Sequence, residues 1–248
     1  MDKLDKIRFE FNRIKNLGFI KSTRQNNKDG GIGNTFEDYL GVDENNLRDP
    51  DFEGFEVKTK RFMNSSYITL FSKSPSFPKG ANRLLKEKYG EVRDSNFPDL
   101  KKLYASIFGN RWNNVYDKFK MKLIVDYSLN RLHLHILDQY NNLDDQVYWN
   151  FDDLEKGISK LNKLFIVFAH PKDIDEMRYY HYNSGNVYLD LDFQSFLKEI
   201  ENGNIQFDIR IGVHKSGKKY GKPHDHGSGF RIKKENITHL YKTKLNLL

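Results

Sequence analysis

Leu4, Ile7, Phe11, Ile14 and Leu17 recur at helical spacing and Gly18 follows where a helix would stop, so an amphipathic helix opens the chain. A polar, glycine-rich stretch over 23–33 leads to Thr35-Phe36-Glu37-Asp38, a capping pattern that predicts a second helix burying Phe36 and Leu40. Alternation predicts neighbouring strands at 55–60 and 67–72, and a hairpin of strands at 120–127 and 131–137 joined by Ser-Leu-Asn. A short helix is expected over 79–89. Helix-then-strand patterns follow twice: 151–160 into the apolar run 164–169, and 193–201, stopped by Asn202-Gly203, into 205–211. A final short strand is expected at 229–232.

No internal repeat, low-complexity tract or linker interrupts this order, so the 248 residues read as one compact α/β domain of two lobes. Hydrophobic residues make up only 38% of the chain, but 14% is aromatic, enough to build a core on Phe and Tyr. Lys and Arg outnumber Asp and Glu by 41 to 34, the balance of a protein that meets phosphate. Cysteine is absent, which excludes disulfides, thiolate metal sites and a cysteine nucleophile. No apolar stretch reaches the roughly 18 residues of a membrane span and no signal peptide is visible, so a cytoplasmic protein is expected.

The densest chemistry lies in Pro50-Asp51-Phe52-Glu53-Gly54-Phe55-Glu56-Val57-Lys58. On a strand Glu56 and Lys58 share one face while Phe55 and Val57 enter the core, and Gly54 permits a turn that brings Asp51 back. Two carboxylates favour an oxygen-preferring cation such as Mg²⁺, and an adjacent lysine can orient water or neutralise a phosphate. The plain alternative is an exposed strand of alternating charges. Gly30-Gly31-Ile32-Gly33 lacks the lysine of a phosphate loop and reads as a turn before a helix.

A second concentration lies near the C-terminus. Arg210, His224, Asp225, His226 and Arg231 are residue types suited to base edges: Arg forks onto guanine, Asp accepts from cytosine, and His does either. The His-x-His pair, with His214, also has the composition of a zinc site. Between them Lys215, Lys218, Lys219 and Lys222, among glycines, suit a phosphate track, and Lys73 could touch phosphate likewise. His133 and His135, and the aromatic run Tyr179-Tyr180-His181-Tyr182, read as structural.

Taken in order, Gly31-Ile32-Gly33-Asn34-Thr35-Phe36-Glu37-Asp38, Pro50-Asp51 through Glu56-Val57-Lys58-Thr59, Thr69-Leu70-Phe71-Ser72-Lys73-Ser74-Pro75, Asp208-Ile209-Arg210-Ile211-Gly212, His214 through Lys219, and His224-Asp225-His226-Gly227 with Phe230-Arg231-Ile232 resemble the MvaI/BcnI family of type II restriction endonucleases. The resemblance spans nearly the whole chain. It implies a PD-(D/E)xK nuclease fold, a mixed α+β sheet core, with two lobes about a DNA cleft: roughly 1–170 catalytic and 171–248 for recognition. It implies Asp51 and Glu56 as metal ligands, Lys58 as the catalytic lysine and Glu37 as a helix-borne carboxylate nearby. Asp208 joins the DNA-binding set. The implied function is Mg²⁺-dependent cleavage of double-stranded DNA, with Mn²⁺ as a substitute, at a G·C-rich pseudopalindrome, CCWGG first. A monomer and a cognate DNA methyltransferase partner are implied too. The competing readings are a MutH-like nickase and a catalytically silent DNA-binding module.

Overall fold

The computed structural model describes residues 2–25, 30–42, 50–62 and 67–247. These fall into two compact units, one of Met1–Ser66, Ser159–Asp192 and Tyr241–Leu248, the other of Tyr67–Ile158 and Phe193–Leu240. The units interleave along the chain, so the division near residue 170 drawn from sequence is not where these units part. The reason is pairing: the strand bearing Glu56 and Lys58 finds its partner more than 100 residues later.

In the first unit that strand, Glu56–Arg61, runs parallel to Lys163–Ile174, with Leu164 opposite Glu56 and Ile166 opposite Lys58. Lys163–Ile174 pairs antiparallel with the long strand Met177–Leu191, which also takes up Ile20–Lys21 and Tyr241–Leu247. The apolar run 164–169 is fully enclosed, as a strand covered on both faces must be. Helices Lys3–Lys15 and Gly31–Leu40 lay Ile7, Phe11, Ile14, Phe36 and Leu40 into one cluster with Val57, Phe165, Val167, Tyr180 and Tyr182. Phe165 centres it, with the rings of Phe11 and Phe36 at 5.9 and 6.0 Å.

The second helix starts four residues before Thr35, which corrects the capping pattern. Thr35 lies inside it, buried, and its hydroxyl accepts the Thr23 N–H at 3.1 Å. The helix ends at Gly41, in the left-handed conformation glycine adopts freely.

The second unit holds two sheets. One orders Tyr67–Ser72, Gly229–Lys233, Ile205–Val213, Lys101–Phe108 and Glu91–Val92, with Pro223–Asp225 added to Ile205–Val213. The other is the antiparallel run Asn113–Val115, Phe119–Asp126, Arg131–Leu137 and Leu143–Asn150. Trp149 locks them, buried against Phe207 at 4.6 Å and Phe230 at 5.6 Å. Helices Ala81–Tyr89, Phe151–Ile158 and Phe193–Glu201 complete the unit. Gly157 is obligatory in its helix: an added Cβ would stand 2.8 Å from the Phe71 ring.

Four long strands, at 101–108, 143–150, 177–191 and 241–247, and the short ones at 20–21, 91–92, 113–115 and 223–225 were not legible as such. The longest is disguised by Asn183-Ser184-Gly185-Asn186, which breaks the apolar pattern where the register slips opposite Phe168 and Ala169. Tyr180 and Tyr182 are core residues, as read. Among the described residues no helix is long and apolar enough to cross a membrane.

Phe165→Ala would leave a cavity among Phe11, Phe36 and Val57 and should cost about 3–5 kcal/mol. Urea unfolding measures this; a loss under about 1 kcal/mol would contradict the central position given to this ring.

Candidate active site

The local fold that builds the site is a tight turn. Glu53 and Gly54 have φ of 52° and 82°, both left-handed, and Phe52 and Phe55 exchange backbone hydrogen bonds of 3.0 and 2.8 Å across them. The chain doubles back there, so Asp51 stands beside the strand that follows and its Oδ2 accepts the Val57 N–H at 2.9 Å.

Glu56 is 4% exposed. Its Oε1 accepts from Lys58 Nζ at 3.1 Å and lies 2.9 Å from Lys160 Nζ, while Oε2 is buried with no hydrogen-bond partner among the described residues. A buried carboxylate oxygen left unpaired is costly, and such atoms in folded proteins call for a specific explanation. Asp51 adds to the tension. Burial raises its pKa above the usual aspartate range, the Val57 N–H opposes this, the Glu56 charge raises it further, and Lys160 and Lys58 pull it back. A carboxylate whose charge disfavours ionisation of its neighbour, and which has an oxygen with no hydrogen-bond donor, suits a hard divalent cation.

Lys160 is the residue that sequence reading missed. It sits in the short 3₁₀ turn Ser159–Asn162, where it looks like an ordinary surface lysine, 104 positions from Glu56. Only the parallel pairing of the two strands brings it to the carboxylate. Glu37 is borne on the helix Gly31–Leu40 as expected, one turn after Gly33, where an added Cβ would stand 3.3 Å from Thr59 Oγ1. Burial holds the Tyr182 hydroxyl far above its usual pKa, and the Glu37 charge adds to that effect.

The second unit gathers the other candidates around Asp208. This buried carboxylate sits on Ile205–Val213 and is held by Ser106 and by Gln206 Nε2 at 2.9 Å through Oδ1. Its Oδ2 takes Arg210 Nη2 at 3.0 Å and Nε at 3.2 Å, and lies 2.9 Å from Arg231 Nε, an ion pair without hydrogen-bond geometry. Arg231 is further tied through Nη1 to Thr69 Oγ1 at 2.7 Å and through Nη2 to the Gly227 carbonyl at 3.0 Å. Arg210 is the more exposed guanidinium, and it lines a groove of about 340 Å³ with Tyr104, Ala105, Ser106, Asp208 and Ile209.

Asp225 serves the turn rather than standing open: its Oδ1 accepts the Gly227 and Ser228 N–H groups at 2.9 and 2.6 Å, and Oδ2 takes Asn82 at 2.7 Å. His224 stands between His214 and His226, with ring centroids at 4.5 and 4.3 Å. The first pair is tilted at 55° and the second meets edge to face at 84°. Among the described residues no group of three or more His, Asp or Glu is placed to hold a metal ion, here or around Glu56. Lys215 pairs with Asp94 at 2.6 Å and Lys73 with Asp153 at 2.9 Å, whereas Lys218 and Lys219 are exposed on a short 3₁₀ turn.

A carboxylate buried on a strand, a second one folded back beside it and an adjacent lysine thus form one cluster in the first unit. Residues 9–241 match the MvaI/BcnI restriction endonuclease family, and the chain belongs to that family. It is a type II site-specific deoxyribonuclease. Among solved structures, restriction endonuclease MvaI in complex with its cognate DNA substrate is 36% identical over 100% of this chain and 99% of that one, with a TM-score of 0.88. MvaI in the absence of DNA is likewise 36% identical, over 100% and 98%, with a TM-score of 0.66. No curated protein matches the chain.

Because its pKa is raised in the fold, ionised Asp51 opposes folding in metal-free protein, and stability falls as pH rises from the ordinary aspartate pKa through the raised one. Asp51→Asn, which can keep the bond from Val57, should therefore raise the melting temperature at neutral pH without metal. A lower melting temperature in calorimetry would contradict the electrostatic account.

Proposed function

We propose that this nuclease hydrolyses double-stranded DNA with Mg²⁺ at a short G·C-rich pseudopalindrome, CCWGG first among the candidates, leaving 5′-phosphate and 3′-hydroxyl ends. The observation that carries the reading is the orphaned Oε2 of Glu56 beside Asp51, in a family of restriction endonucleases. Asp51 and Glu56 hold the cation, and Mn²⁺ can replace Mg²⁺. Once bound, the metal offsets negative charge on the phosphoryl oxygens and makes a coordinated water more acidic.

The chain's own groups do the rest. Lys58, fixed by Glu56, points its ammonium toward the attacking water and the scissile phosphate, orienting one and neutralising the other. Lys160, 2.9 Å from the same Glu56 oxygen, continues to neutralise that carboxylate when Lys58 turns toward substrate. Water adds to phosphorus as the bond to the 3′ oxygen breaks. Glu37 supports the site from the helix.

Sequence is read from the second unit. Arg210, oriented by Asp208 through Nε and Nη2, presents its remaining edge to guanine O6 and N7. Arg231 and Asp225 hold the surrounding strand and turn, and His224 and His226, packed edge to face, complete the base-facing surface. Lys218 and Lys219, with Lys215 and Lys73 where DNA displaces their carboxylate partners, contact phosphates. The protein acts as a monomer, and a cognate methyltransferase protects host DNA.

Digestion of unmethylated phage DNA in Mg²⁺ and in EDTA, with ends sequenced, tests the reading. Discrete Mg²⁺-dependent fragments ending within CCWGG are expected; nicked circles alone would favour a nickase, and intact DNA a silent binding module. Lys58→Ala should lower the cleavage rate at least about 100-fold while leaving DNA binding in place. Arg210→Ala should cost about 1–3 kcal/mol on the cognate site and much less on unrelated DNA. A uniform loss on all sequences would make Arg210 a phosphate contact.

A further inference from the structure

The sheet of the first unit continues past the active site as a long hairpin, one face of which is cationic beyond the buried Leu164, Ile166 and Phe168. Val57, Phe165, Val167, Ala169, Tyr180 and Tyr182 belong to the helix-covered core, so the alternating positions Lys58, Lys60, His170, Lys172, His181 and Tyr179 lie on the other face, the one that bears Glu56. Lys21, opposite Tyr179 on the edge strand, joins them. His170 stands directly opposite His181, the Phe62 ring lies 4.6 Å from His170, and the Phe19 ring lies 5.3 Å from His181 with Lys172 Nζ 5.5 Å above it. Phe19, Lys21 and Lys172 are exposed.

Among the described residues, no strand position on this face between Lys58 and the hairpin turn is acidic. Asp173 projects to the opposite face, where Arg178 neutralises it through two contacts, one of them 3.0 Å. A stripe of lysines and histidines braced by two aromatic rings has the chemistry of a polyanion track.

Its length fits one partner. Lys172 lies six residues beyond Ile166, the partner of Lys58, or roughly 20 Å at about 3.3 Å per residue. At about 3.4 Å per step that spans roughly six nucleotides, close to half of a 10–10.5 base-pair turn, the distance over which one strand's phosphates stay on one side of a duplex. We propose that this stripe, Lys60 through His170, His181, Lys172 and Lys21, grips the phosphate backbone of DNA flanking the scissile bond, outside the recognition sequence. The proposal rests on the nuclease reading above.

The test compares two duplexes with one cognate site, flanked by about 3 or about 15 base pairs, using wild type and the Lys21→Ala/Lys172→Ala variant. Binding is measured in EDTA over a range of salt. On the long duplex the variant should bind about tenfold more weakly near 0.1 M salt, with a log–log salt slope shallower by about two. On the short duplex it should match wild type, and single-turnover cleavage at saturating DNA should be unchanged. An unchanged slope on the long duplex, or equal losses on both, would overturn the track while wild-type cleavage still stands. Wild type that neither binds nor cuts either duplex would overturn the nuclease reading and the track with it.

Discussion

A carboxylate held out of water between two lysines, with one oxygen unpaired, is the constraint around which the first unit is built. Glu56 meets Lys58 from its own strand and Lys160 from the turn that leads into the neighbouring strand. Two cations for one carboxylate oxygen would be generous compensation if stability were the purpose, yet Oε2 is still left without a partner among the described residues. Burying charge this way costs free energy unless something completes the site. Asp51, folded back by the left-handed turn, brings a second carboxylate that further resists ionisation. The arrangement therefore stores a demand for positive charge at a defined point, and the parallel pairing of Glu56–Arg61 with Lys163–Ile174 maintains it.

The second unit solves a related problem differently. Asp208 is buried too, but it is saturated: Ser106, Gln206, Arg210 and Arg231 all converge on its two oxygens. That carboxylate needs no ion, and its work is orientation. It fixes the guanidinium of Arg210 at the edge of a groove while Arg231 is absorbed into the frame by Thr69 and the Gly227 carbonyl. On the proposed function, the contrast separates chemistry from recognition. An unsatisfied carboxylate awaits a cation, whereas a satisfied one positions donors for a ligand.

What the sequence made legible follows from this difference. Asp51, Glu56 and Lys58 lie within eight positions, and period-two alternation with one turn-forming Gly54 suffices to bring them together. Core strands such as 164–169 and amphipathic helices such as Lys3–Lys15 were visible because burial imprints a local period. Lys160 was invisible, since its role depends on a pairing across more than 100 residues. The tethering of Arg231, Asp225, Lys215 and Lys73 was equally hidden, because residue type announces what a side chain can bind and not which internal partner already occupies it. The strand Met177–Leu191 was obscured by polar residues at its irregular midpoint, and with it the cationic face of the hairpin.

The central claim is that Glu56 is folded into place for a divalent cation. The most direct measurement is Mn²⁺ binding to the DNA-free protein, followed by electron paramagnetic resonance, for wild type and Glu56→Gln. The account predicts saturable binding by wild type, its loss in the variant, and competition by Mg²⁺. Equal binding by both proteins would show that the buried carboxylate is not the metal's anchor and would contradict the account.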